Sequence, residues 1–432
     1  MSTFLENTVK IIEDVVKIAP GLPEGDILSR LKKPDRVLEF EIELQGDGGV
    51  VKKFPAWRVQ WNNTLGPYKG GIRFHPESSK DEVMALALLM TIKNAVCGLP
   101  YGGGKGAVRV DPRSLSPREL EELSREYVRK NFEHIGPDKD IPAPDVGTSP
   151  EIMDWMVDEY SKLAGQWEPA AFTGKSIEKG GSRGRDVATG FGGFVVLREF
   201  LKLGKLRNPV SKYLETGFLS VAVQGFGNVG ANFAKIAHRE GMKIAALSDS
   251  KGAIYDPDGF DVEELLKIQK ERGVLNNTKC SLEEAAGKKC KVISNHELLE
   301  LDVDVLVTAA LENQITKENA GNIRANVVLE LANGPTTEEA DGVLEKRGIE
   351  VIPDILANGG GVVGSYFEWL QSKELKWWDE ATVLKKIEEV MVNVFVDIQR
   401  IKEELNLSWR RAAYVKAIKR IAEAMKKAAR SG

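Results

Sequence analysis

Cysteine and histidine are scarce in this chain. Its three cysteines, Cys97, Cys280 and Cys290, are too few and too scattered for a disulfide framework or a zinc site, and a reducing compartment suits them best. Four histidines, with no His-x-Glu-x-x-His pattern, add no metal signature; no metal site is expected. No uncharged apolar run approaches the roughly 18 residues that a membrane span needs. The stretch Met1 to Lys10 carries Glu6 and no apolar core, so no signal peptide is expected, and the cytoplasm is the expected location. Charge of one sign is missing too. Lys and Arg number 60 against 64 Asp and Glu, a formal net charge of -4, which argues against a nucleic-acid partner. No repeats or low-complexity segments occur.

What is present is an ordinary globular composition, 42% hydrophobic and 29% charged over 432 residues. That length exceeds what one core usually serves, so two domains are expected. Val9, Ile12, Val15 and Val16 recur at helical spacing, and Pro20-Gly21 ends that helix. Leu38, Phe40, Ile42 and Leu44 alternate with glutamates, a period-two strand. Gly46 to Gly49 forms a turn, and a second strand carries Trp57, Val59 and Trp61 on one face, with Arg58 and Gln60 on the other. A helix over 80–95 leads through Gly102-Gly103-Gly104-Lys105-Gly106 to a short strand, Ala107 to Val110. Another helix covers 116–135, and 136–148 reads as loop, with Pro137, Pro142 and Pro144. Glycines crowd 173–192, where a domain junction is expected. Beyond it, β-branched runs at 218–224, 243–247, 291–294, 303–308, 326–331 and 349–353 alternate with helical patterns. These read as buried parallel strands of a doubly wound sheet. The remainder is helical. Its last helix follows Ser408, a candidate N-cap, and pairs an apolar side with a basic one, which reads as a solvated face on a packed helix.

The most specific local string is Gly225-Phe226-Gly227-Asn228-Val229-Gly230. It follows an apolar strand and opens a helix, the context in which G-x-G-x-x-G binds a dinucleotide. Gly225 permits the tight turn, Gly227 lets backbone approach a pyrophosphate, and Gly230 lets helix and strand pack closely. The helix N-terminus offers its N–H groups to phosphate oxygens. Asp249 closes the next strand, where a carboxylate can hold a ribose hydroxyl and favour NAD. Ser250 and Lys251 follow at once and suit the extra phosphate of NADP, so either cofactor remains open.

A second constellation is basic. Lys69 lies in Tyr68-Lys69-Gly70-Gly71-Ile72-Arg73-Phe74, Lys93 on a helix and Lys105 among glycines. Backbone stripped of side chains can approach a ligand closely. An ammonium there is a point charge for a carboxylate, and burial would bring its pKa toward the range useful for proton transfer. Asp145, in Pro142-Ala143-Pro144-Asp145-Val146-Gly147-Thr148, can be a turn residue or a proton-moving carboxylate beside a lysine.

Those strings, with Ala188-Thr189-Gly190 and Ala332-Asn333-Gly334-Pro335, occur in an order that resembles the glutamate, leucine, phenylalanine and valine dehydrogenases over nearly the whole chain, most closely the glutamate dehydrogenases. The resemblance implies an N-terminal mixed-sheet α/β domain for substrate and oligomerisation over 1–183. It implies a Rossmann-like dinucleotide domain over 184–354, and a helical segment, 355–432, returning across the cleft to pack on both. It makes Lys105 the catalytic lysine and Asp145 its proton-transferring carboxylate, with Lys93 on the substrate α-carboxylate. Lys69 and Ser365 would hold the distal carboxylate of glutamate, where leucine and phenylalanine enzymes carry apolar residues. Met90 and Val362 join the substrate pocket. Thr189, Asn333, Asn358, Arg185, Ala309 and Ala310 join the glycine string at the cofactor. Two departures stand out, Leu331 where members often have glycine and Thr308 where they often have proline.

The activity implied is NAD(P)-dependent, reversible oxidative deamination of L-glutamate to 2-oxoglutarate and ammonia in a homohexamer, without nucleic-acid or membrane partners. A branched-chain or aromatic amino-acid dehydrogenase is the alternative within the class, and a non-catalytic dinucleotide-binding regulator the alternative outside it. Lys69 with Ser365 speaks against the first, and the set Lys93, Lys105 and Asp145 against the second.

Overall fold

The computed structural model describes residues 3–21, 24–204, 206, 218–272 and 290–431. The chain divides into two compact units. The first comprises Met1–Arg185, Val362–Lys385 and Ala413–Gly432, and the second Asp186–Gly361 and Lys386–Ala412.

In the first unit, helices α1 (Thr3–Ile18) and α2 (Glu24–Leu31) precede strands β1 (Arg36–Gln45), β2 (Val51–Asn62) and β3 (Tyr68–Phe74). Then come α3 (Lys80–Val96), β4 (Gly103–Val108), α4 (Pro117–Asn131), β5 (Asp140–Pro144) and α5 (Pro150–Ala164). The sheet order is β1-β2-β4-β3-β5. The glutamate-rich strand and the tryptophan strand pair antiparallel as a hairpin, from Arg36 opposite Gln60 to Gln45 opposite Val51. Leu123 and Tyr127 of α4 and Ile152, Met153, Met156 and Val157 of α5 meet Ile42, Ile72, Phe74 and Val108 of the sheet in one apolar cluster. Helix α4 starts at a capping box, Ser116 with Glu119, which satisfies two helix-end donors at once.

Two local expectations are corrected here. The proline segment within 136–148 is not all loop, because Asp140–Pro144 is strand β5, parallel to β3. The glycine run is not a loop before a strand at Ala107 either. Strand β4 begins at Gly103 and includes Lys105, which stands opposite Val59. Arg58 and Gln60 are as buried as the tryptophan face of β2. Arg58 forms a fully buried ion pair with Asp140, its Nε donating at 2.9 Å, and Gln60 donates to the same carboxylate.

The second unit opens with α6 (Ala188–Lys202), β6 (Ser220–Gln224), α7 (Asn228–Arg239), β7 (Lys243–Asp249), β8 (Gly252–Tyr255) and α8 (Val262–Arg272). It continues with β9 (Lys291–Ile293), α9 (Asn295–Leu299), β10 (Val305–Thr308), β11 (Val327–Glu330), α10 (Glu338–Lys346), β12 (Glu350–Ile352) and α11 (Asp354–Ala357). Three long helices complete the chain, α12 (Gly360–Glu374), α13 (Glu380–Leu405) and α14 (Trp409–Ser431), and they are shared out between the units as given above. The sheet order β12-β11-β10-β6-β7-β8-β9 reverses direction between β6 and β10, the switch point at which doubly wound sheets bind ligands. Strands β12 to β7 are parallel as expected.

The edge departs from the all-parallel reading. Strand β8, unforeseen, makes an antiparallel hairpin with β7, and β9 pairs antiparallel with β8. Lys291 and Val292 are exposed, so 291–293 is an open edge rather than a buried parallel strand. Cys290 is disulfide-bonded, a bridge the sequence reading did not anticipate, while Cys97 is a free buried cysteine; Cys280 lies outside the described residues. Arg410, at the start of α14, donates to Glu330 at 2.8 Å, Asp341 at 2.9 Å and Asp354 at 3.4 Å. Among the described residues no helix is long and apolar enough to cross a membrane.

Candidate active site

In the first unit, close packing places the lysines. A Cβ on Gly103 would stand 2.1 Å from Thr91 Oγ1, and one on Gly70 would stand 1.7 Å from the Gly104 carbonyl oxygen. These glycines therefore serve the approach of α3 and β3 to β4, which the ligand-approach reading of the sequence did not foresee. One consequence is that α3 brings Lys93 within electrostatic reach of Lys105. Another is that Met90 Cγ lies 3.2 Å from the Cβ position of Gly70, next to Lys69.

Lys105 and Asp145 form an ion pair, Nζ to Oδ2 at 2.5 Å. The other carboxylate oxygen accepts from Arg73 Nε at 2.9 Å, and Arg73 also pairs with Glu82. The Asp145 turn is fixed by Thr148, whose hydroxyl accepts from Asp145 N at 2.7 Å and lies 3.0 Å from the Ile72 carbonyl. Burial would raise the carboxyl pKa, but Lys105 and Arg73 outweigh it and hold Asp145 well below the usual carboxylate range. Burial, with Arg73 and Lys93, lowers the Lys105 pKa against the opposing pull of Asp145. Arg73 stood inside a quoted motif without a role; its spacing from Asp145 in sequence gave no signal.

Lys69 is 1% exposed. Its Nζ donates to Thr173 Oγ1 at 2.8 Å, and that hydroxyl shares a hydrogen bond of 2.6 Å with Ser365 Oγ. Burial, with Arg185 and Arg58, depresses the ammonium pKa well below the ordinary lysine value, against Glu368 and Asp140. The structure thus joins Lys69 to Ser365 through Thr173, a residue the sequence reading left unassigned. Val362 lies one turn before Ser365 on α12 and is buried. Arg185, expected at the cofactor, ends the first unit, and its charge acts on Lys69.

In the second unit, Gly225 has φ +94° and its N–H donates to Ser248. A Cβ on Gly230 would stand 1.9 Å from the Gly225 carbonyl oxygen, whereas one on Gly227 would meet nothing within 4 Å. Gly227 is the N-cap of α7 and supplies no side chain to its first N–H groups. This open helix end fits a pyrophosphate. Ala309 and Ala310 lie against Gly225, Asn228 Nδ2 donates to the Asp186 carbonyl at 3.0 Å, Val229 is half-buried, and Phe226 is in the core. Asp249 ends β7, where its Oδ1 accepts from Lys251 N at 2.7 Å, and Ser250 and Lys251 are exposed. Asn358 Nδ2 donates to Asn333 Oδ1 at 3.1 Å and to the Leu331 and Ala332 carbonyls. Asp354 Oδ2 accepts from Gly334 N at 2.9 Å. The Asn333 turn is therefore held from α11 at two points. Thr189 Oγ1 abuts Gly361. Among the described residues no cluster of His, Cys, Asp and Glu could hold a metal ion.

The family described as Glutamate/Leucine/Phenylalanine/Valine dehydrogenase matches residues 180–429, and its dimerisation domain matches residues 34–162. The chain belongs to the glutamate, leucine, phenylalanine and valine dehydrogenase family. It is 48% identical to glutamate dehydrogenase of Thermotoga maritima over 94% of this chain and 93% of that one. It is 43% identical to the catabolic NAD-specific glutamate dehydrogenase RocG of Bacillus subtilis over 98% and 95%. The leucine-bound form of hetero-hexameric glutamate dehydrogenase from Thermus thermophilus superposes with a TM-score of 0.90 at 34% identity, covering 99% of this chain and 97% of that one. As a member of this dehydrogenase family, the chain accommodates its departure at Leu331 by packing. Leu331 is 3% exposed, and its Cδ2 lies 2.3 Å from the Cβ position of Gly193 on α6, so the glycine there makes room for the larger side chain. The other departure leaves Thr308 Oγ1 buried without a hydrogen-bond partner.

Proposed function

We propose that this protein is a glutamate dehydrogenase, carrying out NAD(P)-dependent, reversible oxidative deamination of L-glutamate to 2-oxoglutarate and ammonia. The observation that carries the choice of substrate is the buried Lys69–Thr173–Ser365 chain. A buried cation beside two buried hydroxyls suits a carboxylate, which needs both a charge partner and hydrogen-bond donors when desolvated. An aliphatic side chain would gain nothing from them and would leave them unsatisfied.

Lys93 takes the α-carboxylate in this reading, and Lys105 with Asp145 handles protons. A nicotinamide dinucleotide bound at the Gly225–Gly230 turn supplies the hydride acceptor for the substrate Cα. Lys105, whose pKa is depressed by burial, has a neutral form within reach that takes a proton from the water attacking the imine carbon. Its ammonium then stabilises negative charge developing on oxygen. While paired, Asp145 is a weak base. Once Lys105 turns to substrate or loses its proton, one of the two charges holding the Asp145 pKa down is gone and Arg73 alone remains, so the carboxylate becomes a stronger base and carries a proton to or from the amine.

NAD is the cofactor we infer. The Asp249 carboxylate at the end of β7 can hold a ribose hydroxyl and repel a phosphate there, and RocG is named as NAD-specific. We infer a hexamer, supported by the hetero-hexameric assembly named for the Thermus protein, and light scattering on the purified chain tests whether six copies of this one chain assemble. Turnover with glutamate, followed by the absorbance of the reduced nicotinamide with NAD and NADP in parallel, tests the activity and the cofactor together. Absence of turnover with both cofactors overturns the assignment. Faster turnover with NADP overturns the choice of NAD.

A further inference from the structure

The distal-carboxylate pocket has a support that neither the motifs nor its own three residues account for. Thr173 begins a short segment, Thr173-Gly174-Lys175, outside any helix or strand. Glu368 reaches into it from α12, one turn beyond Ser365. Its carboxylate accepts from Gly174 N at 2.7 Å, Lys175 N at 3.3 Å and Lys175 Nζ at 2.7 Å. The same ammonium donates to the Phe172 carbonyl at 2.6 Å. Both side chains of this ion pair are 0% exposed. The three bonds to Glu368 tie the segment around Thr173 to the helix that carries Ser365, and the fourth braces the Lys175 side chain within the segment.

We propose that the buried Glu368–Lys175 pair is a positioning and specificity device, clamping the 172–175 segment onto α12 so that Thr173 meets Ser365 and Lys69 and the pocket selects an amino diacid. The proposal rests on the reading that Lys69 and Ser365 receive the distal carboxylate. A buried ion pair gives little net stability against an apolar pair of similar size, because desolvation offsets the attraction. What it does give is direction. Charge-assisted hydrogen bonds to two backbone N–H groups and one ammonium fix the segment in three places. Apolar side chains at these two positions would hold the same volume but leave the segment free to shift, and a shift of about 1 Å is enough to spoil the placement of a binding group. Glu368 touches no reacting atom; it acts through Thr173 and Ser365.

The test compares glutamate with norvaline, which has the same carbon chain length and no distal carboxylate. Kinetic constants are measured for the wild type, Glu368→Gln, the double variant Lys175→Met/Glu368→Leu, and Lys69→Leu. Glu368→Gln is expected to lower the ratio of kcat/KM for glutamate to that for norvaline by about tenfold or more, mainly through the KM for glutamate. The double variant, which replaces the pair by apolar groups, should fold and show the same fall. Equal losses with both substrates, an unchanged ratio, or failure of both variants to fold would make the pair purely structural and overturn the proposal. If Lys69→Leu leaves the ratio unchanged, the glutamate reading itself fails. If Lys69→Leu collapses the ratio while the pair variants do not, only the positioning role fails.

Discussion

Two lysines in the first unit, both nearly withdrawn from water, have different partners and different consequences. Lys105 faces a carboxylate, so its charge is compensated. Lys69 faces a hydroxyl and nearby cations, so its charge is costly until an anion arrives. Replacing Lys105 by alanine should lower kcat by roughly a thousandfold, in the range for a lost proton-transfer group, while cofactor still quenches tryptophan fluorescence; turnover near the wild-type level would remove Lys105 from the chemistry. For Lys69 the charged form exists below its depressed pKa and is lost as pH rises through it. The KM for glutamate should therefore climb on the alkaline side before an ordinary lysine would titrate, and the KM for norvaline should not. Parallel pH profiles for the two substrates would show that Lys69 does not meet the distal carboxylate. Lys69, Lys105 and Asp145 were legible because charged residues stand in strings where burial is the rule. Thr173, Glu368 and Arg73 were not, because their roles depend on partners far away in the chain, as with Thr173 and Ser365.

At the level of elements, the sequence misled wherever one residue type serves two purposes. Pro142 and Pro144 suggested loop, yet they stand in β5 opposite Gly70 and Ile72. That strand lies at the edge of its sheet, where a missing N–H leaves no ladder bond unmade. The run Gly102 to Gly106 also suggested loop, but its glycines are the flat places on a strand against which a helix and a neighbouring strand press. Short β8 carries too few residues for alternation to show. By contrast β6, the glycine string and α7 were legible together, since Gly225 takes a positive φ, Gly230 admits the Gly225 carbonyl and Gly227 leaves the helix end open. The roles of Gly227 and Gly230 can be separated experimentally. Gly227→Ala puts a methyl into open space, so the protein should melt like the wild type while its dinucleotide affinity falls by about tenfold, measured by calorimetry. Gly230→Ala drives a methyl into the Gly225 carbonyl and should lower Tm as well. Unchanged affinity in Gly227→Ala would show that no phosphate approaches that backbone.

Across the whole molecule, stability has a pH-sensitive centre in the second unit. Burial and the neighbouring Asp354 push the Glu330 carboxyl up to about 7 despite Arg410. Its folded pKa thus exceeds the unfolded value of 4.5, so the folded state holds the extra proton between those limits and loses stability as pH rises through them. Tm should fall between about pH 4.5 and pH 7, and Glu330→Gln should flatten that slope whatever it costs in absolute Tm; an undiminished slope in the variant would place the titration elsewhere. The interleaving of the two units was only partly legible, because nothing in the helical pattern after 355 tells which helix belongs to which core. It carries a consequence for biosynthesis. Ser365 and Glu368 complete a pocket begun by Lys69, and Arg420 of the final helix donates to the Leu99 carbonyl at 2.7 Å, just ahead of the Lys105 strand. A nascent chain emerging from the ribosome therefore exposes Lys69 and Lys105 long before it owns the residues that seat them, and the half made first is the half finished last.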